Sequence, residues 1–187
     1  MKVWTVQNKV VFDEINTSGA YWPNFLKSEY IRTNPKLVDL YSVLIMNYNS
    51  INNSALLGVV FGFLGINDTQ IFEFPTFENF YQYIRTKSNV IESLWNQLLK
   101  REDMFIMELD YKEDFNPLFI DINDFQFLMP PIMILPPYVE SDVARISRNL
   151  ANGTCSVSPL PSGIIQAHLP YIKRENITNI YKPFLLK

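Results

Sequence analysis

The hydrophobic period changes from two to 3.6 at Asn8, and that change excludes both an all-helical and an all-β reading of the chain. Before it, Lys2-Val3-Trp4-Thr5-Val6-Gln7 is short and rich in β-branched and aromatic residues, as strands are. After it, Asn8 supplies a helix cap, Val10, Val11, Glu14 and Ile15 fall at helical spacing, and Gly19 supplies a stop.

Both periods recur downstream. Leu37, Leu40, Tyr41 and Leu44 mark one face of a helix over 36–47, with a polar loop expected at 47–54. A buried strand is expected over 56–65. Its glycines at 58, 62 and 65 mark a bend, or a close approach by another backbone or a ligand. A short strand follows over 70–74. Thr76 then caps a helix with Phe77, Phe80, Tyr81 and Ile84 on one face, and a further helix is expected over 88–99. Residues 105–111 alternate: Phe105, Met107, Leu109 and Tyr111 point one way, Ile106, Glu108 and Asp110 the other. That is the pattern of a half-exposed strand, and 118–122 reads alike. A short helix is expected at 125–128. Pro130, Pro131, Pro136 and Pro137 keep 129–138 out of helices and central strands. A helix over 140–150, a mobile loop over 151–162, a strand over 163–169 and a short helix or turn over 175–181 complete the chain. The class is therefore α+β, with a mixed or antiparallel sheet core and flanking helices, in a single domain over residues 1–187.

Composition narrows the function. Hydrophobic residues make up 48% of the chain, charged residues only 19% and aromatics 14%, which suits a packed core and not a disordered chain. A net charge of −3 argues against broad electrostatic binding to duplex DNA, which needs a positive footprint. The longest apolar run, 55–66, holds three glycines and is too short to span a bilayer, so no membrane partner is expected. With Cys155 the one cysteine and His168 the one histidine, multi-cysteine and multi-histidine metal sites are excluded and no metal is expected. No signal core is seen at the start, and the expected location is the cytoplasm.

Phosphate-loop, dinucleotide-fingerprint and nucleophile-elbow motifs are absent. Glu108 and Asp110 share a strand face, which fits acid–base work or, more simply, a solvated face. Cys155 and His168 are a conceivable nucleophile–base couple, though a lone loop cysteine is usually passive. The better signal lies in the two outer strands. Thr5 and Gln7 share one face of the first, and Gln166 and His168 share one face of the last. If those strands are neighbours, the four side chains line one polar cleft. The plainer reading places them on solvent-facing sheet edges.

These same residues carry a resemblance. Val3-Trp4-Thr5-Val6-Gln7 and Gly19-Ala20-Tyr21 resemble the Leu-Trp-Thr-Ile-Gln opening and Gly-x-Tyr of a bacterial domain family of unknown function. Val59-Val60-Phe61-Gly62-Phe63, Met107-Glu108-Leu109-Asp110, Leu118-Phe119-Ile120-Asp121 and Ile165-Gln166-Ala167 resemble its later segments in order and spacing. The central Trp and Arg signature of that family has no counterpart here. A more distant likeness is to DarT-type ADP-ribosyltransferases, carried by Ile165-Gln166-Ala167-His168-Leu169 and Ile177-Thr178-Asn179-Ile180. That likeness implies an ADP-ribosyltransferase-like fold that binds NAD as a substrate. ADP-ribose would pass to a nucleic acid or a protein, in a toxin or phage-defence setting. It places Thr5, Gln7 and Gln166 against the nucleotide, His168 nearby, Phe61 or Phe63 as a stacking wall and Arg32 at the pyrophosphate. Gln166 stands where such enzymes carry a glutamate, and a glutamine cannot act as a general base. The competing expectation is a non-catalytic protein-interaction module, with exposed aromatics and the segment 130–137 as anchors.

Overall fold

A computed structural model describes residues 1–28, 35–87, 100–112, 115–123, 140–153 and 155–183. Arg32, the helices expected at 88–99 and 125–128, and the proline-rich segment 129–138 lie outside the described residues.

The first period change folds as expected. Strand β1 (Lys2–Asn8) runs into helix α1 (Lys9–Ser18), the Asn8 side chain accepts a hydrogen bond from the Val11 N–H, and Gly19 closes the helix at φ 84°. Next come a two-residue strand β2 (Ala20–Tyr21) and a 3-10 turn (Phe25–Lys27). Helix α2 (Pro35–Asn52) runs through the stretch expected as a polar loop, because Tyr48 and Ile51 continue the buried stripe begun by Tyr41 and Leu44. Strand β3 (Val60–Asn67) turns at Asp68 into β4 (Gln70–Phe72), and helix α3 (Phe77–Lys87) is capped by Thr76. Strands β5 (Met104–Asp110) and β6 (Leu118–Asp121) precede helix α4 (Glu140–Ala151). The remainder is β7 (Cys155–Ser156), β8 (Ile164–Leu169), β9 (Ile172–Lys173) and β10 (Ile177–Tyr181). The expected loop at 151–162 thus contributes β7. The segment expected to be a helix or turn contributes β10, because its backbone pairs with β5.

One sheet runs β10-β5-β1-β3-β8-β6-β7, with β4 added beside β3. Every pair in it is antiparallel except β6 with β7. The small β2–β9 ribbon stands apart. Helix α1 covers one face through Val11 and Ile15, which pack with Val3, Leu64, Met107 and Ile165. Helices α2, α3 and α4 cover the other, where Trp4, Phe61, Phe63 and Ile106 meet Leu44, Phe80 and Leu150. Trp4 stacks on Phe80 with ring centroids 5.1 Å apart.

Burial on both faces corrects the expected half-exposed strand. Of the β5 residues only Asp110 escapes full burial, and Glu108 lies inside on the Trp4 side. A buried carboxylate needs partners. Lys2 Nζ lies 2.6 Å from Glu108 Oε1 and Asn179 Nδ2 2.6 Å from Oε2, so the acid ties together β1, β5 and the edge strand β10. Burial by itself raises the Glu108 pKa, but the hydrogen bonds from Lys2 and Asn179 more than offset it and hold the carboxyl below its ordinary 4.5. The stabilisation is therefore complete above that value and is lost as the pH falls through the lowered one. Glu108→Gln should cost about 1–3 kcal/mol at neutral pH, allowing for the partly exposed Lys2. In urea titrations the gap from wild type should narrow as the pH falls below 4.5; a gap independent of pH would refute the ion-pair account.

Candidate functional site

The polar side chains of β1 and β8 do not meet. Strand β3 lies between them. Trp4 is opposite Phe63, and Phe63 is opposite Gln166, so Gln166 shares the Trp4 face. Thr5 and Gln7 are opposite Met107 and Phe105 and share the α1 face. The four expected cleft residues therefore split across the two faces, Thr5 and Gln7 on one, Gln166 and His168 on the other. They are not on exposed edges either, since Thr5, Gln166 and His168 are fully buried and Gln7 nearly so.

His168 is packed as a core group. Its ring stands edge-on to Phe61 at 5.1 Å, and Nδ1 lies 3.2 Å from the Leu118 carbonyl. A carbonyl only accepts, so Nδ1 carries the proton. Burial pushes the imidazole down to about 3, against a smaller upward pull from that hydrogen bond. Cys155 is opposite Phe119, which is opposite Ala167, so its thiol takes the face away from His168. Burial, and then the Asp121 carboxylate, raise that thiol's pKa, the reverse of nucleophile activation. No group of three metal-ligating side chains occurs among the described residues.

A cleft of about 580 Å³ does open at the end of the sheet where β1 passes into α1 and β3 begins. Two of the expected residues, Gln7 and Phe61, line it; Thr5, Phe63, Gln166 and His168 do not. Its inner wall is aromatic: Phe25 meets Tyr41 edge-on at 4.3 Å, and Tyr41 meets Phe61 at 6.0 Å. Its polar groups are the amides of Gln7, Asn8 and Asn24, with Glu14 and Lys27 as charges of opposite sign. Burial, then the Glu14 carboxylate, raise the Tyr21 hydroxyl's pKa and keep it a neutral donor. Val10 is 70% exposed and Trp22 53%, both at the cleft, and Leu26 beside it is 69% exposed.

The wall depends on residue 58. A Cβ there would lie 2.8 Å from both the carbonyl carbon and oxygen of Pro23. Only glycine lets residues 23–25 lie against the entry to β3, where the Phe25 N–H donates to the Leu57 carbonyl at 2.9 Å. Gly62 and Gly65 likewise admit neighbours from the chain itself, Val3 and the Phe72 ring. The close approach expected of these glycines is thus made by protein atoms. The 22–25 aromatic turn was missed as a site element. Its signal was visible in Trp22-Pro23 and Phe25 next to a turn, with no partner legible for it.

Comparison with family models, with curated proteins and with solved structures returns no match.

Two outcomes follow. Gly58→Ala should destabilise the fold by about 1–3 kcal/mol in thermal denaturation and move the Phe25 and Trp22 signals; an unchanged melting temperature would contradict the close packing. For His168, the lowered folded pKa means that stability is complete above the unfolded value of 6.5 and falls as the pH drops below it. Between about pH 7 and about pH 5, wild type should lose about 2 kcal/mol more than His168→Asn in urea unfolding.

Proposed function

We propose that the chain is a small-molecule-binding domain whose cleft takes a planar aromatic ligand with hydrogen-bonding edges, of which NAD is the leading candidate. One observation carries this reading: an aromatic wall and a set of amides converge on one concave space of about 580 Å³. Ligand pockets are commonly of that size, mostly apolar, with a few placed polar groups. Phe25, Tyr41 and Phe61 supply ring edges and faces, Gln7, Asn8 and Asn24 supply directional contacts, and Trp22 at the mouth can fold over a bound ring. Of the lining residues Lys27 carries a positive charge, which an anionic phosphate can meet, and Glu14 a negative one. The likeness to ADP-ribosyltransferases supports NAD over other aromatic ligands. Binding is what this reading covers: Gln166 and His168, the catalytic candidates, sit in the core on the far side of β3, and an amide offers no general base.

A second reading has its own support. Val10, Trp22 and Leu26 expose apolar surface together around one opening, and such surface serves equally to seat an apolar side chain of a protein partner.

Calorimetric titration with NAD tests the first. Binding in the millimolar range or tighter is expected. Trp22→Ala, at an exposed position, should weaken it about tenfold while leaving the melting temperature within about 1 °C of wild type. No heat at millimolar NAD from a well-folded sample would sink the NAD assignment.

A further inference from the structure

The amide of Gln7 can point either way on shape alone, since its oxygen and nitrogen are nearly the same size. Its surroundings remove the choice. The Thr5 hydroxyl lies 2.6 Å from the Phe61 carbonyl oxygen, and both are buried. That carbonyl has no proton, so the single Thr5 proton must lie between them. Thr5 Oγ1 is then an acceptor towards everything else. Gln7 approaches it at 2.8 Å, and the atom facing it must therefore be Nε2, the donor. The other end of the amide, the acceptor Oε1, is turned away from Thr5, and Gln7 is a wall of the cleft.

Two neighbouring amides are fixed in the opposite sense. Asn8 Oδ1 accepts from the Val11 N–H at 3.1 Å, and Asn24 Oδ1 accepts from the Leu26 N–H at 3.0 Å. Each is held by its oxygen at a helical start, which leaves its NH₂ as the group to offer a ligand, and both line the cleft. We infer that the cleft is a donor–acceptor reader: it selects an aromatic ligand whose edge pairs an N–H donor, for Gln7, with an adjacent acceptor, for Asn8 or Asn24, such as a ring-bound primary carboxamide. A carboxylate of the same shape has no donor to give Gln7 and meets its oxygen lone pairs. Thr5 does not touch the ligand. It is a positioning residue that sets which end of Gln7 does.

This inference rests on the binding reading above, and the test separates the two. Nicotinamide and nicotinate differ only in NH₂ against O⁻ on the same ring, and both are titrated in the millimolar range. The side-chain amide signals of Gln7, Asn8 and Asn24 are followed by ¹H–¹⁵N NMR. Wild type and Thr5→Ser, which keeps the hydroxyl, should prefer nicotinamide by about tenfold or more. Thr5→Val should still bind but lose the preference, because Gln7 is free to turn over. Equal or better binding of nicotinate to wild type, with shifts at the cleft, overturns the inference and leaves the cleft reading standing. Binding of neither probe, nor of NAD, removes both. A second measurement needs no ligand and covers the case in which Thr5→Val fails to fold. In the free protein one Gln7 amide proton should exchange slowly, held by Thr5, and fast exchange of both overturns the relay.

Discussion

The pairing of β3 with β8, with Phe61 opposite His168 and Phe63 opposite Gln166, is the contact that decides which face the polar side chains of β8 take. Strand β3 also meets β1, through Trp4 opposite Phe63. Residues directly opposite each other in a ladder project to the same face. Those two registers therefore put Gln166 on the Trp4 side and Thr5 on the other. A register slip of one residue at either pairing would reverse the result and put all four groups on one face, with β3 still between the two pairs. It would also bury Gly62 where Phe61 and Phe63 now fill the space beneath α2 and α3, and expose both rings to the α1 side, where Gly62 is needed beside Val3. The register is thus held by ring volume, and the polar groups follow it.

Few of the charges among the described residues are inside, and those few are handled one by one. Glu108 is answered by Lys2 and Asn179. Asp121, fully buried, accepts from the backbone of Asn123 and Ser162 and so pins the end of the 151–162 segment to β6. His168 is kept neutral by burial. Each such group in a low-dielectric interior costs several kcal/mol if left unpaired. The positions of these residues are therefore explained by structure before any chemistry is asked of them. That weighs against reading catalysis into Gln166 and His168, and for seeking function where polar groups line an opening.

Local features were legible because one residue suffices to cause them. Asn8 caps, Gly19 ends a helix in the left-handed region, Thr76 caps, and Phe77, Phe80 and Ile84 bury one face, all as their spacing dictates. The β10 strand was not legible. Its Thr178, Asn179 and Ile180 are largely exposed and carry no period, and only the ladder with β5 extends them. The cleft was half legible for a related reason. Period two states which residues of one strand share a face, but nothing in a single strand states which face its neighbour turns towards it. Gln7 was expected from the face it shares with Thr5 and Phe61 from the resemblance; they line the cleft because they sit near the ends of their strands. Trp22 and Phe25 were passed over because a turn has no period, and their partner, the space left by the missing side chain of Gly58, lies more than thirty residues away.

Phe61 is the residue at which the two halves of the molecule touch. One side of its ring belongs to the cleft, with Tyr41 and Phe25; the other abuts the edge of His168. The backbone carbonyl of the same residue holds the Thr5 proton, and through Thr5 sets the orientation of Gln7. A ligand in the cleft would therefore press on a ring and an amide whose positions both trace to the β1–β3–β8 ladder. That ladder is buried on both faces, where side chains have little room to repack. A recognition edge built on it is pre-organised, so little of the binding energy goes to ordering the Gln7 side chain or the Phe61 wall. The exposed share of the site falls instead on the rim, where Trp22 is 53% exposed and packs against the Tyr171 ring at 4.8 Å.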